Sequence, residues 1–219
     1  MNKLGLFIST AFSVQMLALF NEEKVIDAFS DDSRYRHLES IILNIQNLLQ
    51  KNNLSYQDLQ YISVDIGPGS FTGLRIGVTI ARTLAQTLNL PLIGISNLDA
   101  YLEEIPECTM AVPFVDAKRK KEYGAVYEKK AETWQNLTGF KDEPLQWYLD
   151  YVKNINKKII FIGNHKANVP NFSFIYKEIP DLESFRLRAL SAPYKKFYEI
   201  LPLYVRKSDA EITKESHAK

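Results

Sequence analysis

Residues Asp65 to Leu88, D-I-G-P-G-S-F-T-G-L-R-I-G-V-T-I-A-R-T-L-A-Q-T-L, restrict the fold more than any other stretch of the chain. An apolar run, Tyr61–Ile66, reads as a strand that enters a turn carrying Gly67, Pro68, Gly69 and Gly73, with a helix starting near Leu74. Glycines around a proline mark a sharp reversal at which other groups approach the backbone. Ser70 and Thr72 have hydroxyls that can cap the helix. Free N–H groups and the positive dipole end at a helix start suit an anion, so Gly67, Gly69, Ser70, Thr72 and Gly73 are candidate phosphate contacts. A purely structural strand-to-helix turn is the competing reading. No Gly-Lys-Ser/Thr follows at the right spacing, which excludes a P-loop.

The helix carries two apolar stripes, Leu74, Val78, Ala81, Ala85 and Leu88 on one side and Ile76, Ile80 and Leu84 on the other. Such a helix is expected to be buried on two sides. Gly77, Ala81 and Ala85 recur every four residues, a row small enough for a second helix to come close. One side then covers a sheet, and the other waits for a partner helix in this chain or another.

The 219 residues suit one large domain or two small ones, and a hydrophobic content of 46% supports a sizeable core. A net charge of +1 argues against a chain whose main task is wrapping nucleic acid. The single cysteine, Cys108, excludes an internal disulfide, fits a reducing cytoplasm and reads as a small buried side chain. The apolar run from Leu4 to Phe20 is broken by Ser9, Thr10, Ser13 and Gln15, so two strands are expected there in place of a signal peptide.

Taken in order, Leu4–Ser9, Val14–Phe20 and Lys24–Phe29 read as strands, followed by an amphipathic helix over His37–Gln50. Pro91–Ser96 is a further strand, and Asn97 is expected to cap a short helix to Ile105. The pattern is α/β. A second unit begins near Pro106, giving an expected division into 1–105 and 106–219 as two closely packed lobes. Its strands are expected at Met110–Val115, Glu122–Glu128, Thr133–Thr138, Lys158–Ile162 and Phe172–Tyr176, with helices at Leu145–Val152 and Pro180–Leu190. The tail from Lys207 is polar and expected to fray.

The run G-P-G-S-F-T-G-L-R-I-G, residues 67–77, resembles the signature of the TsaB (YeaZ) family. Supporting features follow in the family's order: His37-Leu38, Ile93-Gly94-Ile95-Ser96, Val115-Asp116-Ala117 with Glu122 and Tyr123, and Pro202-Leu203-Tyr204-Val205-Arg206. The resemblance spans almost the whole chain and thins between Lys129 and Ile200. It implies an actin-like ATPase fold (ribonuclease H-like), with two lobes each built from a mixed sheet and helices. It also implies an accessory role in making threonylcarbamoyladenosine beside the tRNA anticodon. The implied partners are the catalytic paralogue TsaD and the ATPase TsaE, with tRNA met indirectly, no membrane, and a homodimer when TsaD is absent.

The resemblance further implies that the first two long helices carry the TsaD contact. The corresponding residues here are His37, Leu38, Ile41, Ile45, Leu74, Gly77, Val78, Ala81 and Ala85, and Ala81→Arg is expected to spare the fold and abolish the complex. Where family members carry Asp-Thr-Ser in the first strand, this chain has Ile8-Ser9-Thr10, and isoleucine neither holds a cation nor orients water. No catalytic residue, no metal ligand and no required cofactor are therefore expected, with the partner interface as a candidate place for ATP or ADP. His37, His165 and His217 lie too far apart in sequence to pair within one helical turn. Asp65 and Asp116 sit at strand ends and read as turn-bracing carboxylates ahead of catalytic ones. Arg75, a cation in the first turn of a helix, is expected to have a carboxylate or a phosphate beside it. Lys118–Lys121, with Arg36, Lys195, Lys196, Arg206 and Lys207, forms the densest basic surface available to tRNA. Two rivals stand beside the accessory role: a stand-alone ATP-dependent transferase or kinase-like enzyme, and a peptide-binding module unrelated to tRNA.

Overall fold

The computed structural model describes residues 3–32 and 37–206, with residues 37–39 described through their backbone alone. The first sheet has the order β3-β2-β1-β4-β5, formed by β1 (Gly5–Ser9), β2 (Gln15–Phe20), β3 (Val25–Asp31), β4 (Tyr61–Gly67) and β5 (Leu92–Ser96). β1, β2 and β3 pair antiparallel, whereas β4 and β5 run parallel to β1. The burial of each strand follows from its place. Every residue of β1 and β2 is buried, as central strands covered on both faces must be, and β3 alternates because it lies at the edge.

One face of this sheet is covered by α1 (His37–Lys51) and α2 (Phe71–Leu88). Ile41, Ile45, Leu48 and Leu49 of α1 meet Val78, Ala81 and Ala85 of α2 over Leu6, Ile8, Leu17 and Val64. α3 (Asn97–Tyr101) follows β5. Its N-cap is Ser96, whose hydroxyl accepts from the Leu98 N–H. Asn97 therefore does not cap this helix; its amide turns to Asp65 and the Pro68 carbonyl instead.

The second sheet is centred on β6 (Met110–Asp116), parallel to β11 (Ile159–Gly163) and through it to β12 (Ser173–Tyr176). The expected strand Glu122–Glu128 is broken in two: β7 (Glu122–Gly124) and β8 (Tyr127–Lys130) pair with opposite ends of β6. β9 (Thr133–Asn136) extends β8, and β10 (Lys141–Glu143), a strand the sequence pattern did not reveal, extends β7. α4 (Leu145–Val152) closes one face through Tyr148, Leu149 and Val152. On the other face, Leu98 and Tyr101 of α3 pack on Val115 and Ile162, so this short helix is a wedge between the lobes.

A division at residue 105 assigns too much to the second lobe. α5 (Leu182–Ser191) returns to the first sheet, where Phe185 and Ala189 cover Phe7, Phe20, Tyr61 and Ile95. Lys195 then bridges to Leu92, and Ile200 enters the α1–α2 core. The sequence announced a helix over Pro180–Leu190 but carried no information about which sheet it would cover. The tail from Lys207 and the link 33–36 fall outside the described residues.

Phe185 is fully buried, with its ring 4.6 Å from that of Phe7. Phe185→Ala is therefore expected to cost about 3–5 kcal/mol, as a large buried aromatic truncation does. Although residue 185 lies late in the chain, the loss is expected in the first lobe, read as raised hydrogen exchange in β1 and β2.

Candidate functional site

The glycine-rich turn is closed by the chain's own first hairpin. The Ser70 N–H donates to the Ala11 carbonyl at 2.8 Å, and the Thr10 hydroxyl donates to the Gly73 carbonyl at 2.7 Å. A Cβ on Gly73 would stand 1.9 Å from the Thr10 carbonyl oxygen, one on Gly69 2.3 Å from that of Ala11, and one on Gly77 2.3 Å from the Thr10 hydroxyl. The small-residue row thus starts at Gly69 and admits the Thr10–Ala11 turn, not a second helix. Ala81 and Ala85, further along, pack in the lobe's own core.

This packing consumes much of the expected anion seat. The Gly73 N–H is capped by the Ser70 hydroxyl, as the sequence suggested, and the Gly67 N–H is bound by Asp65. Gly67, at φ +104°, is buried and does not line the cleft, so it is withdrawn as a ligand contact. Gly69, Ser70, Thr72 and Gly73 do line it.

Asp65 is a buried hub behind the turn. It accepts from the Ser9 hydroxyl at 2.8 Å and the Gly67 N–H at 2.8 Å, with the Asn97 amide at 3.3 Å. Complete burial pushes its carboxyl up to about 6, against the pull of those donors. Ile8, at the position where the resemblance leads one to look for an acid, is fully buried among Leu6, Leu17 and Val64.

Between the lobes lies a cleft of about 940 Å³, walled by the Thr10–Gln15 turn and the Pro68–Gly73 turn on one side and by Asp116, Lys118, Tyr123 and His165 on the other. Asp116 ends β6 and is braced by the Asn164 side chain, which accepts its N–H, and by the Lys118 N–H and ammonium, the latter at 2.6 Å. Partial burial opposes its charge, but the lysine outweighs burial and holds the carboxyl below the usual range. His165 Nε2 lies 2.8 Å from a carboxylate oxygen of the nearly buried Glu122, and Nδ1 lies 3.2 Å from the Lys166 carbonyl. With an acceptor at each nitrogen, the doubly protonated ring fits best. Burial disfavours that charge, and the Glu122 carboxylate overrides it, raising the histidine above 6.5. Among the described residues, no three His, Cys, Asp or Glu side chains converge as a metal site would require.

The residues assigned to a partner interface sit elsewhere than expected. Ile41, Ile45, Leu74, Gly77, Val78, Ala81 and Ala85 are all buried within this chain: Ile41, Ile45, Val78, Ala81 and Ala85 in the core over the sheet, Gly77 against Thr10 and Leu74 beside Gly67. They are corrected to core residues, and Ala81→Arg would force a charge into that core. The side chains of His37 and Leu38 lie outside the described residues, as do Arg36 and His217. What α1 turns outward is Ile42, 47% exposed, and Leu43, 56% exposed; on α2, Ile76 is half-buried, while Ile80 and Leu84 pack against the lobe's core.

Among the described residues, aromatic side chains stand beside Arg75 in place of a carboxylate. Its guanidinium lies 4.2 Å from the centre of the Phe71 ring, and Nε donates to the Tyr204 hydroxyl at 3.1 Å. The basic run is also partly spent internally, Lys118 on Asp116 and Lys121 on the carbonyl and carboxylate of Asp142. Lys118, Arg119 and Lys120 hold φ of +60°, +57° and +61°, an unusual left-handed run for non-glycine residues. Cys108 is buried, its thiol turned to the Met110 carbonyl. No helix among the described residues is long and apolar enough to cross a membrane.

Residues 31–203 match the family model of TsaD, described as tRNA N6-adenosine threonylcarbamoyltransferase. The chain is similar to the tRNA threonylcarbamoyladenosine biosynthesis protein TsaB of Bacillus subtilis, at 29% identity over 73% of this chain and 70% of that protein. A shorter likeness, 37% identity over 31% of this chain and 20% of the other, relates it to the tRNA N6-adenosine threonylcarbamoyltransferase of Clostridioides difficile. In three dimensions it superposes on YeaZ from Pseudomonas aeruginosa with a TM-score of 0.71, covering 92% of this chain and 99% of that one at 17% identity. That structural likeness speaks for the fold alone, which this chain shares with YeaZ.

Two outcomes follow from this geometry. Gly73→Ala is expected to lower stability by about 2–3 kcal/mol in a chemical denaturation curve, because the facing atom is a backbone carbonyl that cannot step aside. For Asp65, a folded-state value near 6 against 3.8 means the folded chain holds the proton more tightly. Its contribution to stability then falls as pH rises from about 4 to about 6, by up to roughly 3 kcal/mol, and is flat above. Asp65→Asn should therefore gain on the parent as pH rises through that window. Thermal melts from pH 4 to 8 test this, and a deficit of the same size at both ends would refute it.

Proposed function

We propose, for a chain that belongs to the TsaD family of tRNA N6-adenosine threonylcarbamoyltransferases and within it resembles TsaB (YeaZ), a role as the accessory subunit in threonylcarbamoyladenosine synthesis. It acts in the cytoplasm as a scaffold that docks TsaD, with TsaE joining the assembly, and has no catalytic step of its own. The observation that carries this reading is the outer surface of α1. Two large aliphatic side chains, Ile42 and Leu43, stand open to solvent on a helix whose other side is fully engaged with its sheet. Adjacent exposed aliphatics on a helix invite a protein partner. The state of the first strand agrees: Ile8 lies in the core and supplies no acid to the cleft.

The docking surface is thus the outward side of α1 and α2, with the exposed Ile42 and Leu43 at its centre. Without TsaD the same surface supports self-association into a homodimer. A second reading, a stand-alone ATP-dependent transferase or kinase-like enzyme, is favoured by the size of the interlobe cleft. Titration calorimetry with Mg·ATP separates the two, since micromolar binding by the isolated chain would favour the enzyme.

Leu43→Arg is expected to leave the melting curve unchanged and to weaken TsaD binding at least tenfold, equivalent to about 1.4 kcal/mol or more. The same variant is expected to sediment as a monomer. Co-purification with TsaD at the parent's yield would refute the docking surface. In the cell, depleting this protein is expected to lower threonylcarbamoyladenosine in bulk tRNA. An unchanged level, measured by mass spectrometry of nucleosides, would refute the assigned pathway.

A further inference from the structure

The segment from Ile200 to Arg206 has no regular secondary structure, yet each of its contacts has a clear anchor. Ile200 is buried in the core beneath α1 and α2. The Leu203 N–H donates to the Ile66 carbonyl of β4 at 2.8 Å, adding a strand-like bond to the first sheet. The Tyr204 ring lies 4.7 Å from that of Phe71, and its hydroxyl accepts from Arg75. Two residues later the chain has reached the second lobe. Arg206 grips Asp142 of β10 with two parallel bonds of 2.7 Å, and its guanidinium lies 5.4 Å from the centre of the Tyr123 ring.

Phe71 and Tyr123 are opposite walls of the same cleft, one from each lobe. Tyr204 rests on the first and Arg206 on the second. We propose that residues 200–206 form a latch across the two lobes, with the Arg206–Asp142 pair as its clasp, and that this latch fixes how far the interlobe cleft opens. The clasp is suited to that task. A two-bonded guanidinium–carboxylate pair fixes direction as well as distance, and both side chains here are more than four-fifths shielded from solvent. The latch is fastened at its other end to the first turn of α2, so movement of the second lobe is transmitted to that helix through Phe71 and Arg75. None of this depends on which partner α1 and α2 dock.

Hydrogen exchange on the full chain tests the proposal with Arg206→Ala, Asp142→Ala and the double variant. The expected result is exchange at least tenfold faster in residues 200–206 and also in the cleft walls of both lobes, Pro68–Gly73 and Asp116–Tyr123, with the double variant no faster than either single one. The exchanged pair, Arg206→Asp with Asp142→Arg, is expected to restore slow exchange at least partly. Acceleration confined to residues 203–206, with both cleft walls unchanged, would reduce the segment to a surface tail and overturn the latch. Additive effects of the two single substitutions would overturn the clasp. Should Asp142→Ala disturb β10 itself, Arg206→Lys provides the independent reading: the charge stays, the paired geometry goes, and the cleft walls are still expected to loosen.

Discussion

The first lobe depends on a contact between two turns, Thr10–Ala11 and Gly69–Gly73. Backbone lies on backbone there, with no room for even a methyl group, and the hydrogen bonds from Ser70 to Ala11 and from Thr10 to Gly73 fasten the pair. Every nearby feature follows from that closeness. α2 begins where it does because Ser70 is held by the hairpin while its hydroxyl caps the helix. Asp65 is sealed from water because the turn folds over it, and the sealing raises its proton affinity. The turn carries the outline of an anion-binding loop, but several of its donors are spent on the protein itself.

The second organising constraint is the wedge helix α3. Leu98 and Tyr101 face the second sheet while Ala100 packs with the first, so five residues serve two cores. Polar ties reinforce the wedge. The Tyr127 hydroxyl donates to Asp99 at 2.6 Å, and Arg188 donates to the Asp99 carbonyl while pairing with Glu103. With a packed seam and its polar ties on one side and the Arg206–Asp142 pair on another, the lobes meet through two unlike junctions.

The sequence made the secondary structure legible because burial on two faces leaves long aliphatic runs and burial on one leaves a helical period. β1, β4, β6 and α4 are found within a residue or so of where these patterns put them. The candidate site was less legible, and Ala81 illustrates why. Periodicity says that Ala81 is buried but not what buries it, and an interface stripe and a core stripe have the same spacing. The outward pair Ile42–Leu43 was hidden for the opposite reason, since two aliphatics directly after Ile41, inside an amphipathic run, look like part of its buried stripe. Spacing groups Gly77 with Ala81 and Ala85, whereas its true companions are Gly69, in the turn before the helix, and Gly73, in the helix's first turn. The stretch Pro202–Arg206 could be noticed only as a resemblance, because a segment without period or cap carries no signal of what it spans.

The return of α5 and Ile200 to the first sheet makes the lobe discontinuous in sequence. A ribosome has already delivered all of β1 to β5 long before Phe185 emerges, so one side of that sheet stays bare while the rest is made. The second lobe's strands, contiguous from Met110 to Tyr176, meet no such delay. The half of the protein translated first is therefore the half that matures last, and its greasy underside is what chaperones would meet in the interval.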